Sequence, residues 1–397
     1  MPGPLDGIRI VDVSQVALGP FATMTLADQG ADVVKIEPPG IGESTRRPAF
    51  ERGGLTAVFA NLNRNKRGMA IDITKPQGLK IVHELVADAD VFVQNWRPGV
   101  ADRNKLGEAD LRAIKPDLIY CSLSGYGPTG PYANRRVYDA VIQGLTGMPA
   151  VQKNPDFPMP DLVRQLVADK SSALYAAQAI TAALFARDRG AGGQHVQVPM
   201  IDASLAFFWP DAMLRQTFIG DGVSPGATTT DAYRLWYTKD GHIIYLLATQ
   251  IEHEGFFKAL GHPEWLEDPR FATTEARANM ENREALGALV EDAIRAMTTD
   301  ELLAKMIEYD IPATRVVELD EVLEDPQIVH NESVLEFEHP TAGKYRQAAP
   351  PARFDKTPQD PRRYMPPLLG EHTDEILGQY GYSAETIADL RSEGVIA

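Results

Sequence analysis

The first 130 residues alternate between short apolar runs and stretches of helical spacing, and few folds accept that rhythm. "IRIVDVS" is a β-branched run, "GPFATMTLADQG" a helix closed by Gly30, and "ADVVKIE" a second strand. "GLKIVHELVADA" again has helical spacing, "DVFVQNW" is a strand, "EADLRAIKP" a helix and "LIYCSLSGYG" a strand. Alternation of this kind predicts an α/β fold with a parallel sheet and helices on both faces. In such sheets ligands bind beyond the carboxyl ends of the strands. The polar and glycine-rich segments Ser14–Gly19, Glu37–Gly42, Asn95–Gly99 and Ser124–Gly130 fall at those ends.

The remainder is less regular. "LVADKSSALYAAQAITAALFARDRG" reads as a long Ala/Leu helix with Asp169 in its first turn, followed by a strand "HVQVPM" and an apolar helix "DASLAFFW". A Gly/Thr/Pro stretch over 211–228 reads as a linker. "YRLWYTKDGHIIYLLA" reads as a hairpin turning at Asp240-Gly241, and helical patterns run on to about 325. A proline-rich segment over 340–367 precedes two short terminal helices. The expected organisation is a large domain from 1–210 and 330–397, with a smaller α+β domain over 229–329 inserted.

Lys and Arg total 39 against 55 Asp and Glu, a formal charge of −16, so nucleic acid and anionic membranes are not expected partners. No run approaches the ~18 apolar residues a membrane span requires, and the start, "MPGPLDGIRIVDVS", has no signal-peptide pattern. The expected setting is cytoplasmic. The single cysteine, Cys121, sits in a strand pattern and reads as a buried, inert thiol. No two histidines stand at ligand spacing, so no metal site is expected.

The opening βαβ pattern invites a dinucleotide, with Glu37 where an acidic ribose ligand would stand. The turn "SQVALGP" lacks the Gly-x-Gly-x-x-Gly loop, and no Gly-Lys-Ser/Thr loop exists, which argues against both nucleotide types. Local positive charge is present instead: Arg46 and Arg47; Arg64, Lys66 and Arg67; Arg97, Arg103 and Lys105; Arg135 and Arg136. Each cluster reads alone as solvated surface. Together, beside Trp96 and Tyr138, they suit one polyanionic ligand with an aromatic base.

"PLDGIRIVDVSQVALGPFATMTLADQGADVVKIEPPG", "LNRNKRGMAIDI", "ADVFVQNWRPGVADR", "PDLIYCSLSGYGPTGPY" and "LLGEHTDEIL" occur in this order and closely resemble the class III CoA-transferases. That family includes formyl-CoA:oxalate and carnitine CoA-transferases and the related α-methylacyl-CoA racemases. The resemblance implies a Rossmann-like large domain and an interlocked homodimer. It implies that the polyanion is coenzyme A, a substrate rather than a permanently bound cofactor. By matching positions, Gln15, Val16 and Ala17 would line the site after the first strand, and Leu62 and Lys66 would approach the adenine and phosphate. Asn95, Trp96, Arg97, Ala101 and Arg103 would follow the nucleotide and pantetheine, with Arg136 and Tyr138 near the inner end.

The resemblance also makes Asp169 the nucleophile that carries CoA from an acyl-CoA to a free carboxylic acid, through anhydride and aspartyl-CoA thioester intermediates. The plainer reading of Asp169 is a helix N-cap; on either reading the helix terminus is expected to keep its carboxylate ionised. Three departures stand out. Racemases carry a histidine where this chain has Tyr138, before Asp139, which favours transfer over enolisation. Some members carry an arginine where this chain has Pro38. No glycine run occurs in "DGVSPGATTTDAYRL", where Thr228–Thr230 are a possible substitute for the shielding loop. The alternatives are racemase-type enolisation and a non-catalytic CoA-binding protein.

Overall fold

The computed structural model describes every residue except 1–2, 48, 154–158, 225 and 227–232; Thr228–Thr230 therefore lie outside the described residues. Six parallel strands form the main sheet: β1 (Arg9–Asp12), β2 (Asp32–Glu37), β3 (Lys66–Ala70), β4 (Val91–Gln94), β5 (Ile119–Ser124) and β6 (His195–Pro199). Their spatial order is β3-β2-β1-β4-β5-β6, so the direction of winding reverses between β1 and β4. A doubly wound sheet opens its ligand crevice at that reversal, outside the carboxyl ends of the strands. β3 is absent from the periodicity reading because "KRGMA" begins with two cations. The structure buries all five of its residues.

Successive strand residues feed opposite faces, which is why the strands read as unbroken apolar runs. Ile10, Val33, Val93 and Cys121 pack with helices α1 (Leu18–Asp28) and α7 (Val167–Ala186). Val11, Val34, Phe92 and Tyr120 pack on the other face with α3 (Pro76–Ala87) and the terminal helices over Thr373–Gln379 and Ala384–Ser392. Both ends of the chain thus build one sheet unit. The short helices between are α2 (Ala57–Asn63), α4 (Val100–Arg103), α5 (Glu108–Ile114) and α6 (Asp139–Thr146), and α8 (Met200–Ala212) follows β6. His372 braces the edge of β3: its amide donates to Gly68 O at 2.9 Å and its Nδ1 accepts from Gly68 N at 3.2 Å.

Contacts divide the chain into two compact units, Met1–Pro210 with Val329–Ala397, and Asp211–Ile328. The second unit has its own core around Phe256, Phe257, Phe271, Ile294, Leu302 and Met306. The expected hairpin is present, Trp236–Tyr237 pairing with His242–Tyr245, and Ala313–Arg315 adds a third antiparallel strand. Among the described residues no helix is long and apolar enough to cross a membrane.

Gly19, in the first turn of α1, is fixed by close approach: a Cβ there would stand 2.2 Å from Cβ and Oγ of Ser14. We expect Gly19→Ala to displace Ser14 and to cost roughly 1–3 kcal/mol, as overpacking of a tight site does, measured by urea denaturation.

Candidate functional site

Every strand of the sheet is parallel, so the loops after β1, β2, β4 and β5 all leave one edge. A helix that returns the chain between parallel strands runs against them, so α7 brings its N-terminus to that same edge. Asp169 is the third residue of α7 and lies half-buried there. The N-cap position is Leu166, whose side chain caps nothing. Asp139, the buried first residue of α6, does the capping from outside the helix. Its Oδ2 accepts from the amides of Ala168 (2.7 Å) and Asp169 (3.0 Å), while Gln143 Nε2 donates to Oδ1 at 2.5 Å.

This arrangement removes the plainer reading of Asp169 and corrects one expectation. Asp139, not Asp169, caps the helix, and the helix terminus does not hold the Asp169 carboxyl fully ionised as expected. Burial, and then the negative charge of Asp139, push its pKa up from 3.8 to about 7. The terminal amides that could stabilise an anion are engaged by Asp139, so they do not offset the cost of burying the Asp169 carboxyl.

At the point where the sheet reverses, Asn95 ties the loops after β4 and β1 together. Its Oδ1 accepts from Gln15 N at 2.9 Å and its Nδ2 donates to Gln15 O at 2.7 Å. Val16 follows with φ +67°, a left-handed conformation that β-branched residues rarely adopt. Its amide donates to Glu43 Oε2 at 3.0 Å. Beneath these loops lies a fully buried charge network. Lys35 Nζ donates to Ser14 O (2.9 Å) and Glu43 Oε2 (3.4 Å), and Lys66 Nζ donates to Asp12 Oδ2 (3.1 Å), Pro20 O (2.9 Å) and Asn63 Oδ1 (2.8 Å). Burial opposes the charge on Asp12, but Lys66, Lys35 and the hydroxyls of Ser14 and Thr23 outweigh it and hold its carboxyl near 2. Burial pulls Lys66 down to about 8 against the attraction of Asp12. Burial likewise opposes Lys35, yet Glu43 and Asp12 raise it above its ordinary value.

The structure therefore sorts the sequence candidates. Lys66 is internal, with all three ammonium donors engaged, so it has none for a phosphate. Leu62 is buried. Arg64 is buried on Asp28 (2.7 Å) and Arg67 on Asp32 (2.7 Å), so the "NRNKR" cluster is structural rather than a surface for a polyanion. Arg46 clamps Glu37 with two bonds of 2.7 Å, which occupies the acid a ribose would need. The site edge keeps Gln15, Val16, Asn95 and Trp96 half-buried, with Ala17 and Ala101 buried beside them. The side chains of Arg97, Arg103 and Arg136 are exposed and make no ion pair among the described residues, and Tyr138 is 72% exposed. Sequence reasoning missed Asp12, Lys35, Glu43 and the capping by Asp139. The one available signal was a lysine inside an apolar strand, "DVVKIE".

Cys121 is buried and its thiol is pushed up to about 12 by that burial, as an inert core cysteine should be. Among the described residues no group of three or more His, Cys, Asp or Glu is arranged to hold a metal ion.

With this geometry in view, comparisons give a consistent answer. The family model for CoA-transferase family III matches residues 5–373. Succinyl-CoA:glutarate CoA-transferase of Homo sapiens is 33% identical over 404 residues, covering 99% of this chain and 90% of that protein. Formyl-CoA:oxalate CoA-transferase of Rhodopseudomonas palustris is 31% identical over 422 residues, covering 100% and 98%. A CAIB/BAIF family protein from Brucella suis superimposes with a TM-score of 0.81 at 32% identity, covering 96% of this chain and 100% of that one. The chain belongs to CoA-transferase family III and is an enzyme of that class.

Two outcomes follow from the site. Lys66→Met leaves Asp12 a buried charge with a lost partner, and we expect it to cost ~3–5 kcal/mol in chemical denaturation. Asp169 in the unfolded chain ionises near 3.8 but in the fold only near 7, so its ionisation weakens the fold as pH rises through that window. Asp169→Asn should therefore raise stability at pH 8, by on the order of 1–3 kcal/mol, with the gain fading below about pH 4. Thermal melts of both proteins across pH check this.

Proposed function

We propose that the protein moves CoA from an acyl-CoA to a free carboxylic acid with Asp169 as nucleophile. The observation that carries this reading is the carboxyl of Asp169. It is half-buried at the ligand edge, relieved of any capping duty by Asp139, and poised near neutrality. A carboxylate with little hydration and a pKa near 7 is ionised in useful fraction at physiological pH yet more basic than a surface aspartate.

Asp169 Oδ attacks the thioester carbonyl, the C–S bond breaks, and an acyl–aspartyl anhydride forms while CoA departs as thiolate. The thiolate then attacks the aspartyl carbonyl, expelling the acyl group as its carboxylate and leaving aspartyl-CoA. The acceptor carboxylate attacks that thioester, giving a new anhydride and thiolate. Attack of the thiolate on the acceptor's acyl carbonyl yields the new acyl-CoA and restores Asp169. Each addition places negative charge on a carbonyl oxygen, which gains from N–H donors nearby.

In the same proposal CoA runs over Gln15, Val16 and Ala17, along Asn95, Trp96, Arg97, Ala101 and Arg103, to Arg136 and Tyr138. The exposed guanidinium groups of Arg97, Arg103 and Arg136, which make no ion pair among the described residues, suit its phosphates. Tyr138 in place of a histidine supports transfer over α-proton exchange, for which a phenol is a poor base at neutral pH. The interlocked homodimer belongs to this proposal as well. Leu174 and Phe185 on α7 and Phe207 and Trp209 on α8 are 41–61% exposed in the single chain, and a second copy would give them cover.

Asp169→Ala should abolish transfer, by ~10³-fold or more, with CoA affinity retained, read by mass spectrometry with carbon-labelled acids and by calorimetry. Because the carboxylate is the working form, kcat/KM should climb as pH rises toward about 7 and level off above it. Full transfer activity in the alanine variant would end the assignment.

A further inference from the structure

Much of the backbone of the loop after β1 is already engaged within the protein. Ser14 O is taken by Lys35, both polar atoms of the Gln15 backbone by Asn95, and the Val16 amide by Glu43. The side chains of Gln15 and Val16 are half-buried at the crevice edge, and the side-chain amide of Gln15 makes no hydrogen bond among the described residues. Their direction is set by Val16, whose φ of +67° places a β-branched residue where its Cβ is crowded. Strain of this kind persists only where the surroundings over-determine it, and it gathers at ligand sites.

Glu43 is the group that over-determines it. It is 2% exposed, at the end of the loop after β2. Oε2 accepts from Val16 N and from Lys35 Nζ, Oε1 accepts from the hydroxyl of Thr45, and its own amide donates to Glu37 Oε2 at 3.0 Å. Glu37 in turn is clamped by Arg46, which also donates to Pro367 O at 3.0 Å. The loops after β1 and β2 are thereby one rigid piece, joined through a single carboxylate.

We propose that Glu43 is a positioning residue for CoA binding, acting through the left-handed backbone of Val16 to aim Gln15 and Val16 into the crevice. It touches no substrate. The inference rests on the CoA reading given above for the crevice. Glycine at position 16 would reach the same backbone conformation without crowding, and would make Glu43 dispensable for aiming the loop.

Glu43→Asp is the informative variant. It keeps a negative charge against Lys35 but withdraws the acceptor from Val16 by one methylene. We expect KM for acyl-CoA and the Kd for free CoA to rise about tenfold while kcat changes less than about threefold. Glu43→Gln, which keeps an acceptor at full length, should leave KM within about threefold of wild type if it folds. In a Val16→Gly background, Glu43→Asp should add less than about threefold, which a role confined to stability would not produce. An unchanged KM in folded Glu43→Asp, or the same tenfold rise in the Val16→Gly background, overturns the proposal. Binding of free CoA by calorimetry keeps the two ideas apart. Wild type that binds CoA without transferring it removes the proposed reaction and leaves the Glu43 test intact. Wild type that transfers, with Glu43→Asp indistinguishable from it, removes only the role of Glu43.

Discussion

Two lysines stand inside this sheet, and a buried ammonium is tolerated only with its charge answered and its donors filled. Lys35 and Lys66 have no exposed side-chain surface, and Asp12 and Glu43 opposite them are equally enclosed. Satisfying them requires Ser14, Thr23, Asn63 and the carbonyls of Ser14 and Pro20 to stand in fixed places. The strand ends that border the ligand crevice thus form a rigid floor. An apolar core of similar volume would be no less stable. It would leave the loop after β1 free to relax from its left-handed conformation at Val16.

The second constraint is the division of labour at the start of α7. A helix N-terminus can serve one anion well, because its free amides are few. Asp139 takes two of them from a neighbouring helix, so Asp169 keeps its position in the first turn and loses the stabilisation. That exchange explains how an aspartate at a helix entrance can be a base near neutrality rather than a strong acid held as its anion. It also explains the leucine at the N-cap position: with the cap supplied by Asp139, Leu166 needs no polar side chain.

The sequence's cationic clusters divide along the same line. Arg46, Arg64, Lys66 and Arg67 hold the body of the sheet unit together, whereas Arg97, Arg103 and Arg136 remain outward and unpaired among the described residues. An acidic protein that binds a polyanion needs only a few free cations where the ligand lies. The cations of the other clusters, Arg64, Arg67, Arg46 and Lys66, are engaged by Asp28, Asp32, Glu37 and Asp12.

By itself the sequence determined the alternating α/β layout, the parallel sheet with its crevice at the carboxyl edge, the entry of Asp169 at the head of an Ala-rich helix, and the family. These are legible because period, strand composition and ordered motifs are local properties of the chain. It missed β3, whose two leading cations hide a strand beneath apparent surface charge, and it placed Lys66 on a phosphate when three internal acceptors hold it. It also kept a cap as the plainer alternative for Asp169, a duty that Asp139 performs from 30 positions earlier in the chain. Only the tertiary structure decided which lysines are buried, which carboxylate caps α7 and which carries a raised pKa. Desolvation and Coulomb interaction depend on distance in space, and no local pattern records which residue folds back against which.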